Sequence, residues 1–353
     1  LKKMIQTANK NDKLIEVLEE IIEQREYIDQ KFITLLRYAA FLSRKEEKSL
    51  KREIYELVLK GLKIQEFPES IVSSSKNLKL PLQAASSFRA CLTMRSRKTQ
   101  LSNCGFEWKL NKKKEGYKFA DMLGMPRPKV YEKIMKFSDI PRESNIVIKQ
   151  SEGSGSKGVY LVFDHHRKIF DVMKSKMLDG WEHLELSIEN DLQSKIVKKD
   201  KWIVEELLYE NNDKKIPSRD LKFYCFYGRV ALILEVCRYP EVKYCWWLSN
   251  GEKIKTGKYD KNLFDGEGFT QEDLQYVADV SKKIPAPFVR IDFLKTEKGL
   301  YLGEFTPRPG GYEGFSNYID QFLGEYFLEA EGRLLNDLFN GKKFSEYKAF
   351  LEY

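Results

Sequence analysis

The stretch "NIVIKQSEGSGSKGVYLV", residues 145 to 162, limits the fold more than any other part of the chain. Two runs of β-branched residues flank a Gly/Ser segment, so two strands with a wide connection are expected. Hairpin turns use the same residues, which leaves two readings open. The connection is long for a tight hairpin and holds Lys157. Glycines let main-chain N–H groups converge on a phosphate without side-chain clash, so the functional reading is a flap over phosphate. Lys149, closing the first strand, would aim a cation at the same phosphates. The spacing is not that of a P-loop, and the segment leads into a strand rather than a helix.

A second stretch, "FVRIDFLKTEKGLYLGEFTPRPGG" at 288 to 311, places Asp292 on one expected strand and Glu304 on the next, joined by a turn at "TEKG". A hairpin would bring the two carboxylates together. Adjacent buried carboxylates repel, which favours a bound cation. Oxygen ligands with open positions suit Mg²⁺ bridging nucleotide phosphates. The alternative is a hairpin whose acids face solvent by simple alternation. A third stretch joins "WIVEELL" at 202 to 208 with "SRDLKFYCFYG" at 218 to 228. The first could offer main-chain groups to an adenine edge. In the second, Asp220 could accept from ribose hydroxyls and Lys222 could reach a phosphate.

In this order the three stretches resemble the ATP-grasp superfamily, most closely its TupA-like group, associated with polysaccharide and teichuronopeptide synthesis. The resemblance spans about residues 108 to 320. It implies an α+β ATP-grasp fold, two subdomains gripping ATP; the N-terminal helical segment ahead of it matches no motif of the family and is read from its own spacing. It implies ATP and Mg²⁺ as cofactors. Lys149 would contact the ATP phosphates, with Ser154, Gly155, Ser156, Lys157 and Gly158 as the flap. A further lysine is usual in the family ahead of a "GxPxP"-like loop; "NKKKEGYKFADMLGMPRP" offers Lys112, Lys113 and Lys114 for it, with spacing favouring Lys113. Glu205 and Leu207 would line the adenine pocket, with Asp220 on the ribose. Lys222 and Arg290 would neutralise the γ-phosphate, and Arg308 would hold a carboxylate or acyl phosphate. Asp292 and Glu304 would ligate the metal. Thr306 stands where many members carry Asn, so it would offer one oxygen at most.

The implied reaction is ATP-dependent carboxylate–amine ligation through an acyl phosphate, with a small-molecule, glycan or peptide-like acid and amine in cell-surface polysaccharide synthesis. One alternative keeps the ATP site and phosphorylates a hydroxyl. Another is a non-catalytic basic protein that binds nucleic acid or an anionic polymer. Its support is the cluster from Arg89 to Lys118, part of a stretch from 76 to 118 that holds eleven Lys or Arg against Glu107 and Glu115 and could bind anions or be a solvated lysine-rich face. Sparse aromatic interleaving there, with Phe106 and Trp108 the main candidates, argues against nucleic acid.

The division expected is 1–75 as a helical hairpin or arm, 76–145 as a basic segment opening the ATP-grasp region, 146–204 as the subdomain with the flap, and 205–353 as the subdomain with the metal site. Apolar residues from Leu14 to Ala39 recur at helical spacing, and Ser43 to Glu46 reads as a capping box opening a second helix that stops near Gly61. Such a hairpin could be a docking arm or pair two copies of the chain, or it could simply pad the domain behind it. "SSSKNLKLP" reads as a loop, and residues 166 to 200 as mainly helical. Five cysteines without a CxxC pair, and only three histidines, exclude the usual zinc patterns. Free thiols, with no apolar run long enough to cross a bilayer and no apolar core of a secretion signal, point to the cytoplasm.

Overall fold

The computed structural model describes residues 2–82, 85–131, 134–151, 156–211 and 213–352. The chain divides into two compact units, one ending at Ser87 and the other beginning at Phe88. The first is helical: α1 (Lys2–Lys10), α2 (Leu14–Leu42), α3 (Lys48–Gly61) and α4 (Glu69–Leu78). Ile33, Ala40, Tyr55, Val58, Leu59, Leu62, Ile71 and Leu80 form its core. The Arg37 guanidinium donates to the Glu66 carbonyl at 2.7 and 3.1 Å and fixes the turn before α4.

Two local expectations fail here. "SSSKNL" is the second half of α4, closed by Lys79 in the left-handed region (φ 53°). The Ser75 hydroxyl donates to the Ile71 carbonyl at 2.7 Å, which lets a serine run stay helical. The Ser43 hydroxyl likewise donates to Ala40 rather than capping, and α3 starts only at Lys48.

The second unit holds α5 (Phe88–Ser102), α6 (Lys113–Met122), β1 (Ile146–Gln150), β2 (Val159–Asp164), β3 (Lys168–Asp171), β4 (Lys176–Leu178), α7 (Trp181–Gln193) and β5 (Trp202–Glu206). It continues through β6 (Tyr209–Asn211), β7 (Ile216–Pro217), β8 (Arg219–Cys225), β9 (Val230–Cys237), β10 (Lys243–Leu248), α8 (Gln271–Lys282), β11 (Val289–Thr296), β12 (Gly299–Thr306), α9 (Asn317–Phe339) and α10 (Ser345–Glu352). Two five-stranded sheets result, ordered β4-β3-β2-β1-β5 and β10-β9-β8-β11-β12, with antiparallel ladders throughout. The α+β expectation holds. The expected helix over 166 to 200 is instead two short strands followed by α7. Ile169 and Phe170 explain this: they are buried on opposite faces of the first sheet, as a strand requires. Val130 and Met135 form isolated bridges with Glu205 and Trp202 of β5.

Period-two alternation sorts the first sheet. Ile146, Ile148, Tyr160 and Val162 pack against Trp181, Leu184 and Ile188 of α7. Val147, Leu161, Phe163, Phe170 and Leu207 form a separate cluster on the other face, joined by Tyr239 from beyond β9. Lys149 follows Val147 onto this second face.

Candidate functional site

On that face Glu205 of β5 is the centre of an ion cluster. It lies opposite Val147 in the ladder and is 1 % exposed. The Lys149 ammonium donates to Glu205 Oε2 at 2.6 Å, the Lys113 ammonium donates to Oε1, and the Tyr117 hydroxyl reaches Oε1 at 3.4 Å. Burial alone would raise the Glu205 pKa, but Lys149 and Lys113 overcome it and hold the carboxyl at about 2. The lysines diverge. Burial and the charge of Lys149 push Lys113 down, whereas Glu205 outweighs burial at Lys149 and raises it.

A second cluster stands on the other sheet. Asp292 of β11 is the direct cross-strand neighbour of Lys222 on β8 and of Glu304 on β12. Strand register therefore puts all three on one face. Lys222 donates to Asp292 Oδ2 at 2.5 Å. Arg290 donates to both Asp292 oxygens at 2.6 and 2.7 Å, to Thr306 Oγ1 at 3.1 Å and to Glu304 Oε1 at 3.4 Å. Burial works against Asp292 ionising, yet Arg290 and then Lys222 hold its carboxyl below the usual range. Asp220, two residues before Lys222, accepts from Arg238 at 2.9 and 2.5 Å and forms an ion pair with Lys222 at 3.3 Å. Here too the cations outweigh burial and lower the carboxyl.

The clusters adjoin. Asp220 and Arg238 act on the charge of Lys149, and Glu304 acts on that of Lys113. The Gly/Ser segment meets them through Ser156, whose hydroxyl accepts from Arg238. Lys157 is exposed and, among the described residues, has no ion-pair partner. Ser154 and Gly155 lie outside the described residues. Gly158 closes the hairpin at φ +62°, where a Cβ would sit 3.0 Å from Val197 and 3.3 Å from both Gln150 and Trp202. Its carbonyl accepts from Gln150 N at 3.0 Å. Leu207 is buried with Val147 and Leu161. Arg308 is exposed and has no partner among the described residues. Sequence reasoning missed Tyr117, Arg238 and Lys258, which lies 7 % exposed between β10 and α8.

The oxygens of Asp292, Glu304 and Thr306 converge on the Arg290 guanidinium, so a positive charge already fits between them. Among the described residues no group of three or more His, Cys, Asp or Glu side chains could enclose a metal. A divalent ion here would complete its shell from phosphate and water, as Mg²⁺ commonly does. The donor set is all oxygen and fits that ion.

Part of the basic stretch is neutralised. Arg95 pairs with Glu107 at 2.7 Å, Arg89 with Asp320 at 3.1 Å, Lys98 with Glu331 at 3.3 Å, and Lys113 with Glu205. The reading of this stretch as a polymer-binding face loses those cations.

Among solved structures, the chain is similar to D-alanine–D-alanine ligase from Bacillus anthracis, with 12% identity over 65% of this chain and 69% of that one and a TM-score of 0.38. It is also similar to the ATP-grasp ligase PsnB, solved with a precursor variant, Mg and ADP, with 14% identity over 69% and 71% of the two chains and a TM-score of 0.35. A third is L-amino acid ligase from Bacillus licheniformis, with 13% identity over 80% of this chain and 61% of that one and a TM-score of 0.32. No curated protein matches the chain. The family model described as TupA-like ATPgrasp matches residues 90–328, more than half of the chain and every site residue named above. By that match, the chain belongs to the TupA-like ATP-grasp family.

Proposed function

We propose that the chain is an ATP- and Mg²⁺-dependent ligase that activates a carboxylate as an acyl phosphate and passes it to an amine. One observation carries this reading. A lysine pair around Glu205 adjoins an Asp292–Glu304 pair bridged by Arg290, and Ser156 of the Gly/Ser segment reaches the same place.

In this reading Lys149 and Lys113 exchange part of their contact with Glu205 for ATP phosphates. Residues 154 to 158 act as the flap that excludes water. Glu205 and Leu207 border the adenine, and Asp220 meets the ribose. Lys222 and Arg290 offset the γ-phosphate charge, and Arg308 holds the incoming acid. Asp292, Glu304 and Thr306 would hold Mg²⁺, which when bound supplies charge neutralisation at the phosphates. The acid oxygen attacks the γ-phosphorus and ADP leaves. The amine nitrogen then attacks the acyl carbon, and inorganic phosphate and a proton leave. Such chemistry depends on positioning and charge and needs no side-chain nucleophile.

The acid or amine is taken to be an amino acid joined to a glycan or peptide-like acceptor in cell-surface polysaccharide synthesis. Residues 146–204 and 205–353 serve as the two gripping halves, and residues 1–75 as an arm that pairs two copies. All five cysteines are free thiols, and no helix among the described residues is long and apolar enough to cross a membrane. A cytoplasmic location fits both.

The test is colorimetric. With ATP, Mg²⁺, hydroxylamine and a panel of amino acids, uronic acids and acidic peptides, hydroxamate accumulates with the accepted acid. ADP release with a hydroxyl substrate and no hydroxamate from any acid would mark a kinase instead.

A further inference from the structure

Helix α2 carries a pattern that its own unit leaves unused. Leu14, Ile21, Ile28, Leu35 and Leu42 recur every seven residues. Leu18, Arg25, Phe32 and Ala39 fall between them, at alternate steps of four and three. The period is the one of about 3.5 residues that defines a coiled-coil seam, and it runs through all 29 residues of the helix. The core of the unit takes Ile33 and Ala40 from α2 instead. On the seam Ile28, Phe32 and Leu35 are 64, 53 and 68 % exposed, and Leu18, Ile21 and Leu42 are exposed as well. Single exposed apolar side chains are ordinary, but a stripe of them along one helix marks a surface that another element covers.

The charges on α2 identify that element. Residues 14–29 hold Glu16, Glu19, Glu20, Glu23, Glu26 and Asp29 against the single base Arg25. Residues 30–45 hold Lys31, Arg37, Arg44 and Lys45 and no acid. The helix is therefore acidic in its N-terminal half and basic in and just beyond its C-terminal half. A second α2 laid antiparallel sets each acidic half along a basic half, which favours encounter in that direction. A parallel pair in register sets like charge along like charge. It also brings Arg25 against Arg25 of the second copy inside the seam, a repulsive contact that selects against that arrangement. The acidic half is repelled by an anionic lipid surface, which disfavours a membrane as the cover.

We propose that α2 pairs antiparallel with α2 of a second copy of this chain, about a two-fold axis level with Gln30. The seam then meets as Leu18 with Leu42, Ile21 with Ala39, Arg25 with Leu35 and Ile28 with Phe32, each layer occurring twice by symmetry. The aliphatic stem of Arg25 covers Leu35 while its guanidinium stays at the wet edge. At roughly 100 Å² for each seam side chain, the pair buries on the order of 1,500 Å², the size of a stable specific interface. The proposal rests on reading residues 1–75 as a pairing arm, and adds the face, the direction and the register; it does not rest on the ligase chemistry.

The test uses the full chain. Sedimentation equilibrium at micromolar concentration should give twice 41.5 kDa for the parent, and 41.5 kDa for Ile28→Glu and for Phe32→Glu. Both side chains are exposed, so the circular dichroism of each variant should match that of the parent. Direction is read by disulfide formation, since all five native cysteines lie at 91 or beyond. Under mild oxidation, a mixture of Leu18→Cys and Leu42→Cys chains should form a dimer whose bridge maps to positions 18 and 42, whereas Leu18→Cys alone should form none through position 18. A bridge in Leu18→Cys alone means parallel pairing and overturns the direction. A parent dimer untouched by both glutamate variants overturns the face while leaving a pairing arm in place. A parent that stays at 41.5 kDa overturns the pairing arm and the seam together. Flotation of that monomer with vesicles of phosphatidylglycerol and phosphatidylethanolamine would assign the stripe to a lipid surface instead.

Discussion

Asp292 and Glu304 face each other across β11 and β12, and one guanidinium nitrogen of Arg290 reaches both, at 2.7 and 3.4 Å. The two acids are otherwise unlike. The Asp292 side chain is 5 % exposed and paired with two cations, whereas that of Glu304 is 51 % exposed. One is a fixed buried anchor, and the other is open to solvent and, in the proposed reading, to metal.

That asymmetry separates folding from metal binding. Asp292→Asn removes the nearest carboxylate of Arg290 and Lys222 and leaves them the longer pairs with Glu304 and Asp220, a loss of about 1 to 3 kcal/mol. Urea denaturation should register it. Glu304→Gln removes an exposed group and should change the urea midpoint little.

Glu205→Gln should act through the two lysines. It leaves Lys149 and Lys113 without a counter-ion, which lowers the stability of the ATP-free protein by about 3 kcal/mol. ATP phosphates would restore an anion there, so the thermal shift produced by ATP should be larger in the variant than in the parent.

Acid should weaken the parent chain in a defined window. The Glu205 carboxyl is lowered from 4.5 to about 2, so its stabilisation is complete above the unfolded value and is lost as pH falls from about 4.5 to 2. The linked loss is on the order of 3 kcal/mol. Asp220 and Asp292 are lowered too and act in the same direction. Chemical denaturation at stepped pH should show this slope, reduced in Glu205→Gln.

Gly158→Ala should cost about 2 kcal/mol, because φ +62° penalises any Cβ and Val197 stands 3.0 Å from where it would lie. Thermal unfolding would report it.

What could be read from the sequence was local. Alternation in "IVIK" separates the two faces of β1, and a hairpin around "TEKG" sets Asp292 opposite Glu304. The pairing of Glu205 with Lys149 and Lys113 was not legible, because the partners lie 56 and 92 positions away. Arg238 and Lys258 sit beyond the ends of β9 and β10, in composition that reads as ordinary connection. Nothing near them in the chain announces that Asp220, Ser156 or Gly310 will be their partners. Where serine hydroxyls satisfy themselves on their own helix, as at Ser75, a loop-like composition conceals a helix.

The central claim is that Asp292 and Glu304 bind a divalent ion together with ATP. Calorimetric titration of AMPPNP, with and without Mg²⁺, into the parent chain and into Glu304→Gln addresses it most directly. The account predicts that Mg²⁺ tightens binding to the parent at least tenfold and that Glu304→Gln abolishes most of this gain. An equal Mg²⁺ gain in both proteins, or none in the parent, would contradict it.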